Sequence, residues 1–322
     1  MNTPEIEDRK SIDCSVVVPT YNSELFIERT VTEIERVMEA HGCTYEIILV
    51  NDGSVDRTWN CIRSLVDRHR GLKCINLARN FGQHNAIMCG LRYSSGKVVV
   101  TIDDDLQNPP HEIPRLLQKL DGDFDLVYGI ERSRGHRRFR NLGSHIFLGI
   151  FKKIFGVSYK PTSYRAIKRA VVEELLKLKT NYVFLDGLLA WQTGFVGTVE
   201  VEHRKRESGA SGYGIRKLIL HSLNLITNFS SLPLKVASFF GVIFSALGML
   251  AGAYYLLKFI VFGIAVPGFT SIILSILIFS GIQLMLLGVV GEYIGRINSV
   301  INSKPQFVVR DVEAGLDEDV DN

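Results

Sequence analysis

Two long runs without a charged residue lie in the carboxyl-terminal third of the chain. The first covers the 22 residues from Val236 to Leu257, and the second covers the 33 residues from Phe259 to Gly291. A helix of about 20 apolar residues crosses the roughly 30 Å hydrocarbon core of a bilayer. Two such runs in succession are too long for ordinary buried core helices. The sequence therefore predicts two membrane-spanning helices, at about 236–257 and 268–290, joined by a short turn.

The positive charges around these runs predict their orientation. Only Lys258 stands near the turn between them, whereas the other flanking basic residues lie outside. The positive-inside rule then places both chain ends in the cytoplasm, with the protein in the cytoplasmic (inner) membrane. The amino-terminal residues lack the apolar region of a signal peptide, which agrees with this orientation. The flanking basic residues are Arg216, Lys217, Lys235, Arg296, Lys304 and Arg310.

The 322 residues leave room for one large α/β domain besides the two helices. A net charge of only +3 argues against nucleic acid as a partner. The end of the chain, residues 311–322, has six acids and no base, and we expect it to be solvated and disordered. The predicted layout is a tail at 1–13, an α/β domain at 14–214, an amphipathic juxtamembrane segment at 215–232, the helix pair at 233–297 and a cytoplasmic tail at 298–322.

The first 130 residues alternate apolar, β-branched runs with helical patterns. Nearly continuous apolar runs suit parallel strands that are buried on both faces, and the intervening stretches of 11 to 25 residues favour βαβ crossovers. The sequence thus predicts a Rossmann-like, mostly parallel sheet. Its predicted strands are 15–19, 45–50, 73–77, 97–102 and 125–128.

Polar clusters follow four of these strands directly. They are Pro19-Thr20-Tyr21-Asn22, Asn51-Asp52-Gly53-Ser54, Ala78-Arg79-Asn80 and Asp103-Asp104-Asp105. Each alone could be an ordinary turn. Ligands of open parallel sheets bind beyond the carboxyl ends of the strands, so four clusters at that edge predict a binding site.

The acidic triplet of this edge predicts a metal site. Three adjacent carboxylates repel one another unless a cation joins them, and alternation along the chain points Asp103 and Asp105 to one side. Hard oxygen ligands suit Mg²⁺ or Mn²⁺, with substrate phosphates completing the shell. A solvated acidic loop or a helix cap ahead of Pro109 is the alternative. The chain contains no P-loop or dinucleotide-binding fingerprint.

Four segments together resemble a known family. VVVPTYN (16–22), VNDGSVDRT (50–58), LARNFGQHNAIMCGL (77–91) and TIDDDLQNPPHEIPRL (101–116) are similar to family-two glycosyltransferases of the GT-A fold. The resemblance is narrower to the polyprenyl-phosphate branch, which includes dolichol-phosphate mannosyltransferase, bactoprenol glucosyltransferase and undecaprenyl-phosphate aminoarabinose transferase. It implies an inverting, metal-dependent transfer of a sugar from a nucleotide-sugar to polyprenyl phosphate. UDP is the expected carrier, with GDP as the alternative, and the sugar itself stays open.

The resemblance also implies roles for individual residues. Asp103, Asp105 and Gln107 are expected at a Mg²⁺ or Mn²⁺ ion, and Asp103, Asp105, Arg132 and Arg140 form the expected catalytic set. The expected nucleotide-sugar contacts are Pro19, Tyr21, Asn22, Val50, Asp52, Arg79 and Asp104. The expected acceptor-phosphate contacts are Arg132, Arg140, Ser144, Arg206, Ser211 and Tyr213.

The chain departs from the family pattern at two places. Ser23 stands where the family usually has a glutamate, and Thr162 or Ser163 stands where it has an aspartate proposed as catalytic base. A phosphate monoester is already largely dianionic at neutral pH, so a side-chain base is not essential. A processive polysaccharide synthase is disfavoured because the chain has no QxxRW motif, and an inactive nucleotide-sugar-binding scaffold is the remaining alternative.

Small residues in the second run leave its partners open. Gly281, Gly288, Gly291 and Gly295 follow three- and four-residue spacings that allow helices to approach closely. Both the helix pair and a homo-oligomer could use them.

Overall fold

The computed structural model describes residues 12–131 except 70, 149–204 except 150, 158, 179 and 181, then 227, 229–262, 268–301 and 305–315. The chain divides into two compact units. One comprises residues 1–213 together with 305–322, and the other comprises residues 214–304. The residues that follow the apolar helices therefore belong to the α/β unit.

The α/β unit is built on one eight-stranded sheet with the order β7-β5-β6-β4-β1-β2-β3-β8. Its centre, β4-β1-β2-β3, is parallel, and every residue of β1 is buried. The strands are β1 (Cys14–Thr20), β2 (Tyr45–Asn51), β3 (Leu72–Leu77), β4 (Val98–Thr101), β5 (Leu126–Glu131), β6 (Arg165–Lys168), β7 (Val196–Val201) and β8 (Val309–Ala314).

The helices of this unit bury one face each against the sheet. In the first helix, Ile27, Val31, Ile34 and Met38 recur at helical spacing and are fully buried, and Gly42 ends the helix in the left-handed conformation. The helices are α1 (Ile27–His41), α2 (Thr58–Val66), α3 (Gln83–Tyr93), α4 (Ile113–Leu120), α5 (Arg169–Lys177) and α6 (Leu185–Gln192).

The predicted mostly parallel α/β sheet is confirmed, and all five predicted strands are present. The sheet also contains antiparallel pairs, because the short strand β6 lies between β4 and β5 and is antiparallel to both, and β8 is antiparallel to β3. Strand β6 brings Arg165 and the residues before it to the edge where the polar clusters lie. Strands β6, β7 and β8 were not predicted from the sequence.

The prediction of a disordered acidic end at 311–322 is wrong for residues 311–314, which belong to the strand Val309–Ala314. This segment is β8, which pairs antiparallel with β3 and forms an edge of the sheet. Its inward-facing residues alternate with exposed ones, as in an edge strand, and its acids pair with neighbouring strands and helices instead of only solvent. Residues 316–322 lie outside the described part of the chain.

The second unit contains two long apolar helices, α7 (Leu232–Phe262) and α8 (Phe269–Ile301). Their stretches Leu232–Tyr254 and Ile278–Gly295 are long and apolar enough to cross a membrane. Both helices extend beyond the predicted spans of 236–257 and 268–290. Most of the predicted juxtamembrane segment, 215–232, lies outside the described residues.

The close approach between these helices uses glycines other than the predicted ones. A Cβ atom added at Gly241 or Gly248 of α7 would contact side chains of α8 at 3.6 and 3.7 Å. A Cβ at any of the four predicted α8 glycines meets nothing within 4 Å among the described residues. Among the side chains that the structure describes, those glycines make no close contact within this pair, and homo-oligomer formation through them stays a prediction.

Candidate functional site

The polar clusters meet at the carboxyl edge of the parallel strands. Pro19 and Val50 are cross-strand neighbours in β1 and β2, and the Asp52 amide donates to the Thr20 carbonyl at 2.9 Å. Strand β4 lies on the other side of β1, so the residues that follow it join the same edge. The fold thus brings together at this edge the polar clusters that the sequence predicted there.

Asp104 is held against the loop after β1. Its Oδ2 accepts hydrogen bonds from the Ser23 hydroxyl and, at 3.4 Å, from the Tyr21 amide. Burial raises the pKa of Asp104 to about 7, and the charges of Asp103 and Asp105 add to the rise. Ser23, which departs from the family pattern, therefore acts as a donor that fixes the acidic loop.

Asp103 is held between two loops by neutral donors. Gln83 at the start of α3 donates to its Oδ1 at 2.6 Å, and the Ser163 hydroxyl donates to its Oδ2. Burial raises the pKa of Asp103, with a contribution from the Asp105 charge, while Ser163, Gln83 and the nearby Arg165 charge act in the opposite direction. These bonds fix the carboxylate without neutralising it.

Asp105 completes the acidic cluster through a tight turn. Leu106 adopts a left-handed φ of 55°, and the Gln107 amide donates to Asp105 Oδ1 at 3.2 Å. Left-handed backbone is costly for a branched residue, so the surrounding structure must enforce it. The turn places the Gln107 backbone against Asp105, beside the acidic triplet.

The carboxylate oxygens of the acidic triplet fit a small divalent cation as ligands. Among the described residues, no group of three or more His, Cys, Asp or Glu side chains forms a complete metal cage. Asp103 and Asp105 are neighbouring carboxylates whose like charges repel each other. Such pairs are typical of Mg²⁺ or Mn²⁺ sites in which substrate phosphates complete the coordination. Asp103 and Asp105 are the residues that could hold such an ion, and the third predicted ligand, Gln107, is next to them through its backbone N–H, which donates to Asp105.

Asp52 organises the loop after β3. Its carboxylate accepts the Phe81 amide at 2.7 Å and the Gly82 amide at 2.8 Å, and burial raises its pKa despite these two bonds. Gly53 makes the close approach possible, because a Cβ there would lie 2.4 Å from the Arg79 carbonyl carbon. Arg79 in turn stacks over the Phe81 ring at 4.7 Å. The predicted nucleotide contacts Asp52 and Arg79 therefore lie in two loops, after β2 and β3, that are held together by these hydrogen bonds and close contacts.

The predicted contact Asn22 forms a left-handed turn beside these loops. Its φ is 53°, its amide donates to the Ser54 hydroxyl at 3.0 Å, and its side-chain Oδ1 accepts the Val55 amide at 3.0 Å. Asparagine tolerates this conformation better than most residues. Tyr21, immediately before it, is 48% exposed and so presents its ring at the surface of the edge.

A buried charged pair that was not predicted from the sequence is connected to the acidic cluster. Fully buried Arg165 pairs with Asp186 and donates from Nε to the Thr101 hydroxyl at 3.1 Å. The Thr101 hydroxyl bonds the Ser163 carbonyl at 2.6 Å, so this pair connects to the residue that holds Asp103. The order of the strands, rather than any local motif, brings these residues together.

The predicted acceptor-phosphate contacts lie outside the described residues. They are Arg132, Arg140, Ser144, Arg206, Ser211 and Tyr213. The neighbouring positions where a catalytic base was sought are described. Thr162 donates to the Gly129 carbonyl at 2.8 Å, and Ser163 donates to Asp103.

Comparison with known proteins gives consistent matches. A family model described as Glycosyl transferase family 2 matches residues 15–176. Undecaprenyl-phosphate 4-deoxy-4-formamido-L-arabinose transferase of Shewanella sediminis is 33% identical over 94% of this chain and 92% of its own length. The SfII prophage-derived bactoprenol glucosyl transferase of Shigella flexneri is 32% identical over 94% of this chain and 98% of its own length.

A solved structure is similar in fold. It is glucosyl-3-phosphoglycerate synthase from Mycobacterium tuberculosis, in complex with Mn²⁺, UDP and glucosyl-3-phosphoglycerate. It aligns with a TM-score of 0.51 and 21% identity, over 67% of this chain and 78% of that one. At this level of identity the likeness concerns the fold of the α/β unit alone.

Proposed function

Because the chain belongs to the family 2 glycosyltransferases and has their GT-A fold, we propose that it transfers a sugar from a nucleotide-sugar to polyprenyl phosphate. The observation that carries the proposal is the cluster of Asp103, Asp104 and Asp105 at the carboxyl edge of the sheet, held in place by neutral donors. Relatives of nearly the same length, named for undecaprenyl-phosphate and bactoprenol sugar transfer, support the choice of acceptor.

On the donor side, Asp103 and Asp105, with Gln107, would hold Mg²⁺ or Mn²⁺. Such an ion would draw negative charge from the departing nucleoside diphosphate. Asp52 would hold the loops after β2 and β3 in place at the nucleotide site, and Tyr21 would contact the base or ribose. Tight hydrogen bonding keeps these groups in position before the donor arrives, which lowers the cost of reaching the transition state. UDP is the carrier we propose.

On the acceptor side, we place the lipid phosphate at Arg132, Arg140 and the segment around Arg206 and Tyr213. The nucleophile is a phosphate oxygen, which is ionised at neutral pH and needs only to be aimed at the anomeric carbon. This agrees with Thr162 and Ser163, whose hydroxyl protons are engaged elsewhere. Helices α7 and α8 would anchor the chain so that the site meets the headgroup at the cytoplasmic membrane face.

A transfer assay tests the proposal. Purified protein in detergent is supplied with undecaprenyl phosphate and a panel of radiolabelled UDP- and GDP-sugars, with Mg²⁺, with Mn²⁺, or with a chelator. We expect one UDP-sugar to label the lipid, and only when a divalent ion is present. Full activity in the chelator would contradict the metal role, and no labelled lipid with any donor would contradict the acceptor. A polymeric product would instead indicate a synthase.

A further inference from the structure

A row of three polar side chains crosses the edge of the sheet that ends in β8. Asn51 at the end of β2 is the cross-strand neighbour of Asn76 in β3, and Asn76 is the neighbour of Asp311 in β8. Asn51 Nδ2 donates to Asn76 Oδ1 at 2.8 Å, and Asn76 Nδ2 donates to Asp311 Oδ2 at 2.9 Å. The row therefore connects a strand beside the site with the strand that follows the apolar helices.

The row continues to the carboxyl edge of the parallel strands, where the proposed nucleotide-sugar site lies. The Ser54 hydroxyl donates to Asn51 Oδ1 at 2.5 Å, and the Asn22 amide donates to the Ser54 oxygen at 3.0 Å. All four hydrogen bonds point the same way, from the Asn22 amide towards the Asp311 carboxylate. Bonds aligned in one direction polarise and strengthen one another, and a carboxylate at the end of such a chain is the strongest acceptor it can have.

The burial of this chain makes its last acceptor important. Asn51 is 2% exposed and Asn76 is 8% exposed, so neither amide can turn to bulk water without a cost. If Asp311 loses its carboxylate, Asn76 must find another acceptor, and the amide orientation of Asn51 and the Ser54 hydroxyl is no longer fixed. The Asn22 turn, which is left-handed and held by Ser54 and Val55, lies at the far end.

We propose that Asp311 is a positioning residue for the nucleotide-sugar donor. It acts through Asn76, Asn51 and Ser54 on the Asn22 turn and does not itself touch the donor. The inference rests on the proposed function, in which the Asn22 turn belongs to the donor site. It assigns a role in donor binding to the segment that follows the membrane helices.

Strand β8 has other contacts that hold it in place without Asp311. The Ala78 amide donates to the Val308 carbonyl at 2.9 Å, Arg63 pairs with Glu313 at 2.7 Å, and Arg92 lies over the Phe307 ring at 5.2 Å. Removal of the Asp311 carboxylate should therefore interrupt the row of hydrogen bonds while β8 stays paired with β3. Glu313 offers a matched control, because it is an acid on the same face of the same strand and takes no part in this row of hydrogen bonds.

The experiment compares Asp311→Ala, Asp311→Asn and Glu313→Ala in the full-length protein in detergent. We expect Asp311→Ala to raise the donor KM and the UDP dissociation constant, measured by calorimetry with Mn²⁺, by about three- to tenfold. The acceptor KM should stay unchanged. Asp311→Asn keeps an acceptor oxygen for Asn76 and should restore both values, and Glu313→Ala should leave them at the wild-type level. Equal effects of the two alanine variants, or no effect of Asp311→Ala, would overturn the proposal.

A second variant breaks the chain at its other end. Ser54→Ala should raise the donor KM by a similar factor, and its combination with Asp311→Ala should add little, because residues of one network are not additive. If the donor KM of the double variant rose by the product of the two single effects, the two residues would act independently and the proposal would be overturned. Weaker UDP binding in Asp311→Ala, in a protein that transfers no sugar to undecaprenyl phosphate, would refute only the proposed function. Wild-type protein that binds no nucleotide would refute both.

Discussion

The two edges of the parallel sheet treat their carboxylates in opposite ways. At the carboxyl edge, burial raises the pKa of Asp52, Asp103 and Asp104, and the hydrogen bonds described for them come from neutral groups. At the amino edge, Lys97 and Thr44 lower the pKa of Asp13 to about 2. Burial raises the pKa of Glu46, but bonds from Lys73, Ser15 and Ser95 outweigh it and leave that pKa below its ordinary value.

The difference separates structural carboxylates from those of the site. Carboxylates of the amino edge are neutralised by lysines of the same domain, so their interaction free energy contributes to folding. Carboxylates of the carboxyl edge are positioned by neutral groups while burial raises their pKa, so a cation bound with the substrate would stabilise their charged form. The same residue type therefore serves stability at one edge and, we propose, catalysis at the other.

The largest effect is expected from Asp105→Ala at the carboxyl edge. Loss of this carboxylate should lower the rate of sugar transfer to polyprenyl phosphate by about a thousandfold or more, because the charge on the leaving diphosphate is no longer balanced. The measurement is initial-rate transfer of labelled sugar at saturating Mg²⁺ or Mn²⁺.

Asp13→Ala is the matched control at the amino edge. This carboxylate is exposed, is paired with Lys97 and lies at the opposite edge of the sheet, so its loss should leave the transfer rate close to the wild-type value. If Asp105→Ala kept normal turnover, or if both variants lost activity alike, the assignment of the two edges would be wrong.

A smaller effect, on stability, is expected from Glu46→Ala. Glu46 is buried and bonds Ser15 at 2.7 Å, the Ser95 amide at 2.6 Å and Lys73 at 2.5 Å, so it joins β1, β2 and β3 to the start of β4. Its loss leaves buried donors without an acceptor and should lower the free energy of unfolding by about 2–4 kcal/mol.

Urea unfolding followed by tryptophan fluorescence measures this change, because both tryptophans, Trp59 and Trp191, lie in the α/β unit. Glu46→Gln keeps an acceptor for Ser15 and Ser95 and should lose about half as much stability as Glu46→Ala. The donor KM of the folded variants should stay at the wild-type value. A midpoint equal to wild type for Glu46→Ala would show that the network adds no net stability.

The smallest effect is a dependence of this stability on pH. The folded pKa of Glu46 lies below its ordinary value of 4.5, so its ionic contribution is present above about pH 4.5 and is lost as the pH falls through the folded value. The difference in unfolding free energy between wild type and Glu46→Gln should therefore stay nearly constant from about pH 7 down to about pH 5 and shrink as the pH falls below about 4.5. A difference that grew on acidification would contradict the lowered pKa.

The local sequence was sufficient for much of the fold and for the cluster of polar residues at the carboxyl edge of the sheet. Continuous β-branched runs predicted the five strands, since parallel strands buried on both faces must be apolar throughout. The acidic triplet and the turn residues at Asp52 predicted a polar cluster at the carboxyl edge, because the strands themselves carry those residues there. Lack of charge over 22 and 33 residues predicted the two apolar helices for the same local reason.

Strand β8 was missed because an edge strand with one exposed face contains as many charges as a solvated tail. Its acids indicated disorder, and only pairing with β3 converts them into partners for Arg63 and Asn76. Ser163 was identified only as the replacement of a base, and its bond to Asp103 depends on the insertion of β6 beside β4.

The sequence by itself determined the five apolar strands, the two apolar helices and the polar residues that follow the strands, because strand, helix and turn preferences depend on neighbouring residues. Tertiary structure alone decided which distant residues share one hydrogen-bond network. Asn76 and Asp311 are 235 positions apart in the chain, and no local preference can report a contact that exists only after the chain has passed through both apolar helices and returned to the sheet.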